Sequence, residues 1–137
     1  MKITFIIYSL EAGGAERVVS LLANFFSKKH DVEILVYSHT PPFYKISPRV
    51  SIKTIKYKKA KKFPFKRLSS SFYRIIALNK YFTTSKSDVY ISFTTVMNLN
   101  SIIANIFLNK KLIISERVDP KAHKLSAKIV YFRNLLY

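Results

Sequence analysis

The chain reads as an α/β protein, a parallel sheet with helices wound over both faces, and three observations predict this. Five short apolar runs recur along the 137 residues, and most are separated by stretches with a three/four apolar spacing. The first run, Ile3 to Tyr8, is almost wholly apolar, as a strand buried on both faces must be. It leads into a turn holding the chain's two glycines, Gly13 and Gly14, after which the pattern becomes helical. Strands alternating with helices at this spacing require right-handed crossovers and therefore parallel pairing.

Each element has its own signal. From Ala15, a helix is predicted whose apolar stripe is Val18, Leu21, Leu22, Phe25 and Phe26. Val32 to Tyr37 is the second strand, followed by a turn-rich segment with Pro41 and Pro42. Arg49 to Tyr57 alternates apolar with basic residues and reads as a third strand near a sheet edge. Lys66 to Thr84 draws as an amphipathic helix with Phe65, Leu68, Phe72, Ile75, Ile76 and Phe82 on its apolar side and Arg67, Arg74 and Lys80 elsewhere. Ser87 to Phe93 is the fourth strand. The helix after it carries Leu99, Ile102, Ile103 and Ile106 on one stripe and Asn98, Ser101 and Asn105 on another face. Lys111 to Ser115 is the fifth strand, delivering Glu116, Arg117 and Asp119 before Pro120, and Leu125, Ile129, Phe132 and Leu136 suggest a last helix.

Composition narrows the function classes. The length suits one domain, 1–137, and an apolar fraction of 49% is ample for its core. With no cysteine, disulfides, thiolate metal sites and cysteine nucleophiles are excluded. The dispersed His30, His39 and His123 do not make a metal set. No apolar run approaches membrane-spanning length, and the short run after Lys2 reads as a strand, not a signal peptide, so a cytoplasmic location is expected. Net charge is +17, which calls for an anionic partner: nucleic acid, acidic lipid or a phosphorylated substrate.

The positive charge is concentrated. Between Leu35 and Ser87 there is no acidic residue. The Lys58, Lys59, Lys61, Lys62 and Lys66 run, with Phe63, Phe65, Arg67 and Arg74, is the candidate contact with an anionic membrane surface, apolar residues inward and cations at the headgroups. A core-packed helix with a solvated basic face is the alternative for the helix itself.

The glycine turn is the candidate site on physical grounds. A helix N-terminus presents unpaired N–H groups and the positive end of the helix dipole, and glycine lets a ligand approach the backbone and allows positive φ. In an open parallel sheet, ligands bind outside the carboxyl ends of the strands, where Ser9 to Glu16 would lie. The alternative is a tight turn whose dipole is met by Glu16. Neither common phosphate loop fits: the glycines are adjacent, Tyr37 and Ser38 end the second strand where a dinucleotide site needs an acid, and no Gly-Lys-Ser/Thr occurs.

Gly13, Gly14, Ala15, Glu16 and Arg17 resemble, residue for residue, the GGAER-like turn of family 4 glycosyltransferases of the GT-B fold. The DVYISF strand, the Asn-rich helix after it and the KLIISER strand tip look like later landmarks of the same family. The resemblance is strongest to bacterial members that build surface polysaccharides or lipid-linked oligosaccharides. It implies two Rossmann-like domains with the site between them, of which this chain is the amino-terminal, acceptor-side one. Complete members are much longer and carry a glutamate pair in the second domain, so a truncated product or fragment, unlikely to turn over alone, is the expectation.

The implied reaction is sugar transfer from a nucleotide-sugar co-substrate to a lipid-linked or polysaccharide hydroxyl, with retention and with no cofactor or obligatory metal. Gly13 and Gly14 would approach the donor phosphate or sugar, and Glu16 and Arg17 would support the turn by salt bridge or dipole compensation. Glu116 would orient an acceptor hydroxyl and Arg117 bind an acceptor phosphate, with a mutual or local salt bridge as the equal alternative. Ser92, Thr94 and Thr95 are candidate acceptor-lining hydroxyls. Many relatives carry a histidine where Arg117 stands, so no histidine base is assigned. The implied location is the inner face of the cell membrane. Two other readings remain: a basic nucleic-acid-binding module, which lacks a recognised motif and leaves the glycine turn without a role, and a non-catalytic subunit of a split enzyme.

Overall fold

A computed structural model describes residues 1–38, 40–57, 66–117, 130–131 and 134–135, with the backbone alone over 66–70. The chain runs β1 (Lys2–Ile6), α1 (Gly14–Phe26), β2 (Asp31–Val36), β3 (Val50–Thr54), α2 (Lys66–Thr84), β4 (Val89–Phe93), α3 (Thr95–Asn105), β5 (Leu112–Ser115). All strand pairs are parallel, in the order β3-β2-β1-β4-β5. The expected α/β fold is therefore the one formed, with β3 at an edge. The strand order reverses between β1 and β4, and that switch point is where such a sheet opens a crevice at its carboxyl end.

Period-two alternation assigns β1 to two cores. Ile3, Phe5 and Ile7 face α1 with Val32, Ile34 and Val36, while Ile6 faces α2 and α3 with Leu35, Leu78, Phe82, Tyr90 and Met97. Burial on both faces is what makes these strands continuous apolar runs.

Each helix buries part of the stripe its spacing suggests and turns the rest outward. On α1, Val19 and Ala23 are buried and Ala15, Val18, Leu22 and Phe26 pack around them, whereas Leu21 and Phe25 point to solvent at 60% and 65% exposure. On α2, Leu78, Tyr81 and Phe82 are buried, while Phe72 and Ile76 are turned outward. On α3, Leu99 is buried as its spacing suggests, Ile103 and the following Ile106 are exposed, and Asn98, Ser101 and Ala104 are inside. The sheet supplies the partners that make polar burial tolerable. Asn98 donates its amide to the Ser115 carbonyl at 3.2 Å, and the Ser101 hydroxyl donates to Ser92 Oγ at 3.2 Å. The expected contacts of Phe65, Leu68, Leu125, Ile129, Phe132 and Leu136 lie outside the described residues or side chains.

A polar seam fixes α2 to the sheet. Ser85 Oγ lies 3.1 Å from Ser87 Oγ, which lies 2.6 Å from Thr4 Oγ1, itself 3.3 Å from Tyr81 Oη. The Tyr81 hydroxyl donates to the buried Glu33 carboxylate. Desolvation first, and then the bond to Glu33, push the Tyr81 phenol up to about 12, and burial drives Tyr37 still higher against the lowering field of Arg74. A phenol raised in the folded state contributes stability that is intact below pH 10 and lost as pH rises through the folded value. Unfolding midpoints in urea should hold to about pH 10 and fall between there and about pH 12. A midpoint flat across that window would contradict the burial of both phenols.

Candidate functional site

At the carboxyl end of the sheet the chain brings together two helix N-termini and the tips of β1, β4 and β5. Gly13 is the N-cap of α1, with φ −176° and ψ 162°, extended backbone that any residue adopts. Neither glycine has positive φ, so the conformational freedom expected of them is not used. Space is used at Gly13 alone: a Cβ there would collide with the Glu16 carboxylate, which folds back over the N-cap, whereas Gly14 has open room. Because the colliding atoms end a flexible side chain, Gly13→Ala should let Glu16 swing aside and cost less than about 1 kcal/mol in a denaturant titration. A loss of several kcal/mol would mean that Glu16 is held rigidly there.

Glu16 thus meets the α1 dipole by position, at the third residue of the helix. Arg17 is exposed and forms no ion pair among the described residues, so of the two expected forms of support, salt bridge or dipole compensation, Arg17 supplies no salt bridge there. Its backbone N–H closes the first helical bond, to the Gly13 carbonyl at 3.0 Å.

The α3 N-terminus repeats the arrangement with a carboxylate from another element. The Thr95 hydroxyl donates to Glu116 Oε1 at 2.8 Å, so β5 places an acid beside a helix whose first turn has none. The Arg117 Nε donates to Ser115 Oγ at 3.1 Å, and its guanidinium lies 5.9 Å from the Phe93 ring centre. Thr94, between β4 and α3, has φ 74° and ψ 146°, a region a β-branched residue enters only under constraint. Thr94, Thr95, Glu116 and Arg117 therefore form one cluster. Ser92 does not join it: it is fully buried beneath α3 and bonded to Ser101, and is withdrawn from the acceptor-lining set.

One group was not legible as a unit. Tyr8, Tyr37 and Tyr57 follow β1, β2 and β3, and Arg74 of α2 stacks over two of them, 5.1 Å from the Tyr8 ring centre and 5.3 Å from that of Tyr57. Its guanidinium also donates to Tyr57 Oη at 3.2 Å, and Tyr37 Oη donates to the Arg74 carbonyl at 3.1 Å. Arg74 is thus drawn over aromatic faces at the strand ends instead of standing at a headgroup layer as expected. A tyrosine closing each of three consecutive strands was the available signal. Lys58, Lys59, Lys61, Lys62, Phe63 and Phe65 lie outside the described residues, as do the side chains of Lys66 and Arg67. Among the described residues, no three His, Cys, Asp or Glu gather for a metal, and no helix is long and apolar enough to cross a membrane.

Comparison with known proteins places this geometry in context. No family model matches the chain. Over 136 residues, 96% of the chain, it is 36% identical to the GalNAc-alpha-(1->4)-GalNAc-alpha-(1->3)-diNAcBac-PP-undecaprenol alpha-1,4-N-acetyl-D-galactosaminyltransferase of Campylobacter jejuni. The chain spans 38% of that relative's length. Its fold is similar to part of a sucrose-phosphate synthase from Thermosynechococcus elongatus, with a TM-score of 0.71 at 11% identity, covering 98% of this chain and 39% of that one. The second likeness shows the fold alone.

Proposed function

We propose that this chain is the acceptor-side, amino-terminal half of a glycosyltransferase that moves a sugar from a nucleotide-sugar onto a lipid-linked glycan. The observation that carries the reading is 36% identity sustained over 136 residues with a transferase whose name specifies a polyprenol-diphosphate-linked acceptor. The site chemistry agrees with it. Two helix N-termini at one switch point supply fixed positive ends for a departing diphosphate, and Glu116, held by Thr95, is an acceptor for a sugar hydroxyl. Glu16, folded over the α1 N-cap, would swing aside for a donor phosphate. Transfer with retention, and without an obligatory metal, belongs to the same proposal.

The chain would work at the inner face of the cell membrane. Phe72, Tyr73 and Ile76 project from α2 in the basic half of the sequence, which suits an interface that takes apolar side chains and anionic headgroups together.

The test joins this chain in frame to the remaining part of the Campylobacter jejuni relative and follows transfer of labelled N-acetylgalactosamine to an undecaprenyl-diphosphate-linked glycan in anionic vesicles. Transfer by the chimera, lost with Glu116→Ala, is the expected result. A folded chimera that binds acceptor-loaded vesicles no better than empty ones, and transfers nothing, would overturn the reading.

A further inference from the structure

On the α2 face of the sheet, where α2 ends, lies an open cavity of about 230 Å³, lined by Lys2, Glu33 and Lys53 from three adjacent strands and by Tyr81, Ser85 and Lys86 from the end of α2 and its exit. Its floor is built: Glu33 and Tyr81 are 9% and 8% exposed and bonded to each other. Most other polar groups around it are already engaged. Ser85 is bonded to Ser87, and the Lys2 ammonium lies 3.7 Å from the Asp31 carboxylate. Lys53 and Lys86 are different. Among the described residues neither is within ion-pair distance of a carboxylate, and Lys53 Nζ is held 5.0 Å from the Tyr81 ring centre.

With Lys2 offset by Asp31, the ammonium groups of Lys53 and Lys86 face one carboxylate, so the lining keeps a net positive charge around a buried acceptor. An anion relieves the mutual repulsion of the ammonium groups, and a hydroxyl on the same molecule suits a carboxylate, which accepts and cannot donate. We infer that this cavity binds a small phosphate monoester bearing hydroxyl groups, its phosphate on Lys53 and Lys86 and a hydroxyl turned to Glu33. The site shares no residue with the Thr94, Thr95, Glu116 and Arg117 cluster and does not depend on the transferase reading.

The test uses the full chain in calorimetric titrations at fixed ionic strength, with ribose 5-phosphate, inorganic phosphate and ribose as probes. Saturable one-to-one binding of ribose 5-phosphate is expected, tighter than that of inorganic phosphate, with no binding of ribose. Lys53→Gln should weaken it about tenfold, the scale of one charge-assisted bond. Lys28→Gln, just past α1 on the other face of the sheet and equal in net charge, should leave it unchanged and so controls for the chain's general positive charge. Glu33→Gln should erase the preference for ribose 5-phosphate while keeping phosphate binding. Non-saturable binding, or equal losses in the Lys53 and Lys28 variants, would overturn the inference. Should Glu33→Gln lose its fold by circular dichroism, the comparison of the two lysine variants decides alone.

Discussion

Phe82→Ala is expected to lower the unfolding free energy by about 3–5 kcal/mol, a large part of what a domain this size possesses. The ring is fully buried, and its centre lies 4.7 Å from that of Tyr90 in an edge-to-face pair. Few other described residues of α2 reach the sheet so deeply. Leu78 and Tyr81 do, while Phe72 and Ile76 face away. Phe72→Ala is the paired control. Sequence spacing put Phe72 in the same stripe as Phe82, yet at 61% exposure its truncation should change stability by no more than about 0.5 kcal/mol. Urea midpoints of the two variants distinguish the faces directly. Equal losses would mean that α2 is rotated from the position described.

The same contrast explains how much the sequence disclosed. Strand runs such as Ile3 to Tyr8 were legible because burial on both faces leaves no room for polar residues, and parallel pairing followed from the alternation with helices. The range of α2, Lys66–Thr84, was also readable. The buried faces of the helices were legible only in part: Leu22, Phe26, Phe82 and Leu99 lie inward as their spacing suggests, but a spacing rule counts apolar residues alone. On α3 it cannot know that Ser115 and Ser92 offer hydrogen bonds to Asn98 and Ser101, which carries these polar residues inward beside Met97, Leu99 and Ala104. On α1 a centre at Val19 and Ala23 turns Leu21 and Phe25 outward.

The site divides along the same line. Position was legible, since residues following parallel strands gather at one end of the sheet, and the glycine turn and the Glu116–Arg117 tip do so. Pairing was not. Glu116 meets Thr95, 21 residues earlier, and Arg74 meets tyrosines from two strand ends, because these partners depend on strand order and helix rotation. Glycine offers both positive φ and close approach to the backbone, but Gly13 and Gly14 take up no positive φ, and the strained φ belongs to Thr94.

Thr94→Gly should therefore raise stability, against the usual sense of a glycine substitution. At φ 74° and ψ 146° a threonine carries strain on the order of 1–3 kcal/mol, which glycine releases. Part of the gain, about 0.5–1 kcal/mol, is offset by the freedom glycine has in the unfolded chain. A net gain of about 1 kcal/mol, read as a higher urea midpoint, is the expected outcome. No side-chain capping bond is forfeited, because the Thr94 hydroxyl makes none to α3. The functional consequence runs the other way. Thr94 sets the direction in which Thr95 enters α3, and Thr95 holds Glu116 at 2.8 Å. Loosening that corner frees the carboxylate to shift by an ångström or so, a displacement that costs about a hundredfold in rate when a reacting group must be aligned. In the chimeric transferase, Thr94→Gly should thus be more stable and about a hundredfold slower, with Thr94→Ala close to the parent in both. A stabilised variant with unchanged transfer would show that the strain has no part in positioning Glu116. A destabilised one would show that the threonine methyl or hydroxyl contributes packing that outweighs the strain.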